Sequence, residues 1–226
     1  MPAATNTELA TFGEWTLRVR ASDSSNPRLL LLLHGWTGDE NSMWVFTRAL
    51  SPKYWMIAPR GRREAAPYGI HAAAPGGFTW RGGQPITGLP TFDDLQESAE
   101  ALIHLVDEYS ASIKINAAQF DVMGFSQGAA LANILGMYYP QRIRKMGVLA
   151  GFVPAGMEAL IKQKPLTGKN IFVAHGAQDQ MVPIDYARAS VSLLEQAGAR
   201  IVYCEDDVAH KLSANCLRAL ETYLRD

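Results

Sequence analysis

Long apolar runs, charge imbalance and cysteine are all scarce in this sequence, and each scarcity excludes something. The longest strongly apolar run, residues 29–33, falls far short of the ~20 residues a helix needs to cross a bilayer, so no stable membrane insertion is expected. Residues 1–6 hold no basic stretch leading into an apolar one, and no glycine follows Met1; neither a secretion leader nor a myristoylation signal is expected. Lys+Arg number 21 against 22 Asp+Glu, a formal net charge of −1, and no long basic run occurs. That excludes a general polyanion binder, so nucleic acid is not an expected partner. The densest basic patch, Arg60-Gly61-Arg62-Arg63, is followed at once by Glu64 and reads as a solvated loop. Only two cysteines are present, Cys204 and Cys216, without metal-ligand spacing. They are expected to be free thiols in a reducing compartment, which makes the protein soluble and cytoplasmic.

What is present is an ordinary globular composition, 48% hydrophobic and 19% charged, over 226 residues. That suits one large α/β domain spanning 1–226 with a substantial core. No internal repeat or low-complexity tract is visible. Strand-like runs at 15–19, 29–34, 54–58, 120–123, 145–150, 170–175 and 200–205 alternate with helix-like segments at 92–110, 129–139, 185–196 and 211–224. In the first helix Leu95, Ala99, Leu102, Ile103 and Val106 recur at intervals of three and four, and Thr91 with Asp94 resembles a capping box. Alternation of this kind predicts a mostly parallel sheet with helices on both faces. In such sheets reactive groups gather beyond the carboxyl ends of the strands. Residues 61–90 break the pattern: seven glycines, four prolines and no period, but with Tyr68, Phe78 and Trp80. A loop so long and so rich in aromatic bulk reads as a packed lid or pocket wall over the site.

Gly124-Phe125-Ser126-Gln127-Gly128 fits G-x-S-x-G. The pattern is weak alone, but a strand precedes it and a helix of small residues follows, as a nucleophile elbow requires. The sharp turn strains Ser126 and admits only glycine at its flanks. A serine hydroxyl needs a base, normally a histidine oriented by a carboxylate. Among five histidines only His210 occupies the C-terminal position that the order Ser…Asp…His demands. His71 lies in the long loop, and His104 is assigned a structural role in its helix. His34 and His175, at strand ends, are expected to hydrogen-bond loop backbones at the rim. The acid is expected to be Asp179, after the strand that ends at Gly176. Asp206 and Asp207 are close neighbours of His210 on one loop, and Asp185 begins the next helix. The oxyanion donors are expected to be the backbone N–H groups of Gln127 and of Trp36, in the glycine-bearing loop 33–38.

These residues resemble the α/β-hydrolase superfamily, and within it the phospholipase/carboxylesterase group with its acyl-protein thioesterases and small bacterial esterases. Leu33-His34-Gly35-Trp36-Thr37-Gly38-Asp39 looks like the group's oxyanion loop, and Gly124-Phe125-Ser126-Gln127-Gly128-Ala129 like its nucleophile motif, with its characteristic Gln. His175-Gly176-Ala177-Gln178-Asp179-Gln180-Met181-Val182-Pro183 looks like its acid loop, and residues 208–213 stand where its histidine loop belongs. The resemblance implies Ser126, Asp179 and His210 as nucleophile, acid and base, oxyanion N–H groups from Trp36 and Gln127, and no cofactor or metal. It implies a serine carboxylic-ester hydrolase acting on small to medium acyl esters through an acyl-enzyme, and it admits a homodimer. Ala209 stands where the group usually has Gly, and Trp36 where it often has Leu, which would narrow the acyl pocket. Residues 58–61 and 76–80 look more like the bacterial subset, which points away from protein depalmitoylation. Trp36, Phe78, Trp80, Phe152, Met181 and Leu212 are the expected wall residues. An acyl-thioesterase or lysophospholipase would use the same triad. A binding protein for a small ligand is the rival of another class, since fold does not fix function.

Overall fold

A computed structural model of the chain describes residues 7–48, 50–65, 76–82 and 88–225. The first four strands are β1 (Glu8–Phe12), β2 (Trp15–Arg20), β3 (Arg28–Leu33) and β4 (Tyr54–Pro59). Two short strands, β5 (Arg63–Glu64) and β6 (Phe78–Thr79), form a separate antiparallel ribbon. The chain then returns to the main sheet with β7 (Phe120–Phe125), β8 (Ile143–Leu149), β9 (Asn170–Gly176) and β10 (Arg200–Asp206). Across this eight-stranded sheet the order is β1-β2-β4-β3-β7-β8-β9-β10. β2 runs antiparallel to both β1 and β4, and every other pairing in this sheet is parallel.

The helices are α1 (Phe92–Ser112), α2 (Gln127–Tyr138), α3 (Glu158–Ile161), α4 (Ile184–Gln196) and α5 (Ala214–Arg225), with a 3-10 turn at Ser42–Phe46. The pleat divides the core between them. Leu29, Leu31 and Leu33 of β3 join Val122, Val148 and Val173 beneath residues of α1, α2 and α4. Leu30 and Leu32 join Met123, Leu149 and Phe172 beneath Cys216, Leu220 and Leu224 of α5. Helices thus cover both faces, as the strand–helix alternation predicts. The capping box on α1 is formed: the Thr91 side chain accepts from the Asp94 N–H, and the Asp94 carboxylate accepts from the Thr91 N–H at 2.8 Å.

The two cysteines correct the sequence reading. Cys204 on β10 and Cys216 on α5 are joined in a disulfide, with Cα atoms 5.6 Å apart. The pairing has no local signature; it arises because α5 folds back over the strand that precedes it. The expectation of a cytoplasmic setting draws on free thiols, and the bond removes that ground. No helix among the described residues is long and apolar enough to cross a membrane. β1 is a second departure. It is an edge strand, turned back onto β2 through Gly13 at φ +55°, mostly exposed but with Ala10 and Phe12 packed against the core. Within 61–90, Tyr68 and His71 lie outside the described residues, while Phe78 and Trp80 pack against the body of the protein.

Candidate active site

Four strand ends deliver the site to one edge of the sheet. β3 ends at Leu33, β7 at Phe125, β9 at Gly176 and β10 at Asp206. The loops beyond them carry Trp36, Ser126, Asp179 and His210, in the order of the central strands. Backbone hydrogen bonds close the third and fourth loops on each other: Ala177 N–H to the Asp206 carbonyl at 2.8 Å and Gln178 N–H to the Val208 carbonyl at 3.0 Å.

Ser126 sits between β7 and α2 at φ +54°, ψ −115°, a conformation that costs a non-glycine residue on the order of 1–3 kcal/mol. The flanks allow no side chain. A Cβ at Gly124 would lie 2.0 Å from the Gly128 carbonyl oxygen, and one at Gly128 would lie 2.1 Å from that of Leu33. A Cβ at Gly35 would come within 3.3 Å of the Ser126 Cβ, which puts the loop after β3 against the serine. The turn lifts Ser126 above the sheet, at the positive end of α2.

Asp179 is 5% exposed, and its carboxylate is fully engaged. Oδ1 accepts from the backbone N–H groups of Met181 and Val182 at 2.8 and 2.9 Å. Oδ2 lies 2.6 Å from His210 Nδ1 and 3.3 Å from His175 Nε2. Burial alone would raise its pKa; the hydrogen bonds from His175, His210 and Val182 outweigh burial and hold it well below the usual carboxylate range. The carboxylate is therefore ionised and faces the imidazole of His210. The His210 ring in turn packs 4.8 Å from that of Phe125, the residue before Ser126. His175 Nε2 is also 2.8 Å from the Val182 carbonyl, an acceptor, so the proton of that ring is on Nε2.

The histidine at the other strand end is equally occupied. His34 Nδ1 donates to the Gly35 carbonyl at 2.7 Å, and Nε2 accepts from the Gly61 N–H at 2.8 Å. Both strand-end histidines thus bond loop backbones, as expected; His175 also supports the Asp179 carboxylate, a role that sequence reasoning missed. His104 lies on the exposed side of α1 rather than in a packed structural position. The rival acids are engaged elsewhere. Asp185 is in the first turn of α4, and Asp206 receives Asn215 and the Asp207 N–H; the carboxylate at His210 Nδ1 is that of Asp179.

Two expected wall residues belong elsewhere. Trp80 is 1% exposed, its ring against His34 and its indole N–H on the His34 carbonyl at 2.8 Å. Phe152 is 3% exposed and packed in the core beside α2. Both are buried core side chains. Trp36, Phe78, Met181 and Leu212 are half-buried. Sequence reasoning also missed the Gln127 side chain, whose Oε1 accepts from the Trp80 N–H at 2.9 Å and the Thr79 hydroxyl at 3.1 Å. Among the described residues no group of three or more His, Cys, Asp or Glu could hold a metal ion.

Comparison with known proteins gives the family and the fold. The family described as Phospholipase/Carboxylesterase matches residues 16–226. A carboxylesterase of Arabidopsis thaliana, SOBER1, is 28% identical over 144 residues, 61% of this chain and 61% of its own. The chain thus spans about three fifths of that relative's length. An acyl-protein thioesterase 1 of Candida albicans is 23% identical over 93% of this chain and 96% of its own. The crystal structure of a carboxylesterase from Mesorhizobium loti superimposes with a TM-score of 0.77 at 21% identity, covering 97% of this chain and 98% of that one. The fold is that of the α/β-hydrolases.

Proposed function

Because the chain belongs to the phospholipase/carboxylesterase family, we propose that it is a serine carboxylic-ester hydrolase acting on small to medium acyl esters. Ser126 is the nucleophile, His210 the general base and Asp179 the acid that orients it. Ser126 Oγ attacks the ester carbonyl as His210 Nε2 takes its proton. The oxyanion is received by the backbone N–H groups of Gln127 and Trp36. His210 then returns the proton to the leaving alcohol, and water cleaves the acyl-enzyme by the same relay. The observation that carries the reading is the 2.6 Å bond from Asp179 Oδ2 to His210 Nδ1 on the sheet edge that also bears the strained Ser126. With Nδ1–H held by the carboxylate, Nε2 is left basic.

Turnover of a short p-nitrophenyl ester tests this. Ser126→Ala is expected to lower kcat by more than ~10³-fold, and Asp179→Asn by up to about 10⁴-fold through the wrong tautomer. Wild-type turnover in Ser126→Ala, or a larger loss in Asp206→Asn or Asp207→Asn than in Asp179→Asn, overturns the assignment. A matched oxyester and thioester of one acyl chain separates the esterase from a thioesterase, the activity named for the Candida relative. Failure of Ser126 to react with a fluorophosphonate, together with tight binding of a small ligand, would favour the binding protein.

A further inference from the structure

The proposed mechanism uses only the backbone of Gln127, yet the residue is 5% exposed and its side-chain amide oxygen is bonded twice. Oε1 faces two donors, the Trp80 N–H and the Thr79 hydroxyl, so the orientation of the amide is determined. Those donors belong to a segment that grips the loop after β3. Phe78 N–H donates to the Gly38 carbonyl at 2.9 Å, and Thr37 N–H to the Phe78 carbonyl at 3.0 Å. The Trp80 indole N–H takes the His34 carbonyl, and the Trp80 carbonyl accepts from Ser98 Oγ at 2.6 Å. The sheet itself fixes this loop only as far as Leu33, which pairs with Gly124. Beyond that register the span 35–38 is closed on itself by the Gly38 N–H on the Gly35 carbonyl at 3.0 Å, with His34 Nδ1 on the same carbonyl, and is joined to residues 78–80, which Gln127 in turn bonds to the elbow.

We propose that the Gln127 side chain is a positioning residue that ties the two oxyanion donors together. Its backbone N–H is one donor; its amide oxygen, through Thr79, Trp80 and Phe78, sets where the loop presents the N–H of Trp36. The inference rests on the esterase reading and deepens it. It also gives a chemical reason for a glutamine after the serine: the position needs a neutral acceptor long enough to reach a backbone N–H on a neighbouring loop.

The test compares Gln127→Met, Gln127→Glu and Thr79→Val with wild type, using a p-nitrophenyl ester and a trifluoromethyl ketone. The ketone forms a tetrahedral adduct on the serine whose oxygen requires both donors. Gln127→Met, which keeps length and the backbone N–H but loses the acceptor, is expected to lower kcat by roughly 10–100-fold. KM stays within about twofold and ketone affinity falls by the same factor as kcat, because the bond positions groups used in the transition state. Gln127→Glu, which keeps an acceptor but buries a negative charge beside the developing oxyanion, recovers only part of the loss, and Thr79→Val, which removes one of the two bonds, falls between wild type and Gln127→Met. Wild-type kcat and ketone affinity in Gln127→Met, or a loss confined to KM, overturns the proposal. If Gln127→Met fails to fold, Thr79→Val decides: a matched fall in kcat and ketone affinity supports the proposal, and no change in either overturns it. Ser126→Ala runs alongside. Turnover that does not depend on Ser126 removes the esterase reading and this proposal with it. Ser126-dependent turnover that ignores Gln127 removes this proposal alone.

Discussion

His34 does its work neutral, with one ring nitrogen donating and the other accepting. Burial pushes its pKa down to about 4, against the pull of the Gly35 carbonyl and of Asp39 and Glu40. Protonation would turn Nε2 into a second donor, facing the Gly61 N–H. Between about pH 6.5 and 4 the unfolded chain therefore takes up a proton that the folded chain refuses, so stability rises with pH across that window and is lost on acidification. The full loss is on the order of 3 kcal/mol. Urea unfolding of wild type from pH 7 to 4.5 is expected to show that slope, and His34→Gln to flatten it; equal slopes would assign the acid sensitivity to other groups. At this scale the sequence is partly legible. Strand-end histidines beside glycines, His34 and His175, signal loop support. The Gln127 amide does not stand out, because its partners lie 47 and 48 residues away and share no pattern with it.

Among the elements, β10 and α5 form a unit closed by Cys204 and Cys216, and the loop between them carries His210. The closed segment is short, and cross-linking a loop of about that length stabilises by roughly 3 kcal/mol through the unfolded chain. Reduction, or Cys204→Ser with Cys216→Ser, is expected to lower the urea midpoint accordingly; an unchanged midpoint under dithiothreitol would show that the bond contributes nothing. Elements with their own local signals are legible in the amino-acid order alone. α1 shows a capping box and a regular apolar period, and the central strands are apolar runs that stop at Gly or Pro. β1 escapes such a reading because none of its residues is fully buried and its inward face amounts to Ala10 and Phe12 alone. The disulfide escapes it too, because proximity of the two sulfurs depends on packing between elements, which no spacing rule encodes.

Across the whole molecule, the two ends of the sheet serve different purposes. The candidate site occupies the carboxyl end. At the amino end Asp121, fully buried, meets the Arg144 guanidinium, the Tyr54 hydroxyl at 2.6 Å and the Lys145 N–H at 3.1 Å. The same hydroxyl lies 2.9 Å from the Leu224 carbonyl and so connects the cluster to α5. Asp121→Ala would strand these donors and is expected to cost about 3–5 kcal/mol. Thermal melts should show a fall of roughly 10 °C, while ester turnover at 25 °C stays near wild type. A parallel loss of turnover would mean the two ends are coupled. The parallel architecture is legible because alternation of strand and helix leaves few other arrangements; the charged cluster is not, since Tyr54, Asp121 and Arg144 come from three separate strands. One covalent consequence concerns the arc from 205 to 215. A protease that nicked the backbone there would sever the peptide chain without releasing the last helix, because the sulfur bridge would still fasten the fragments to each other.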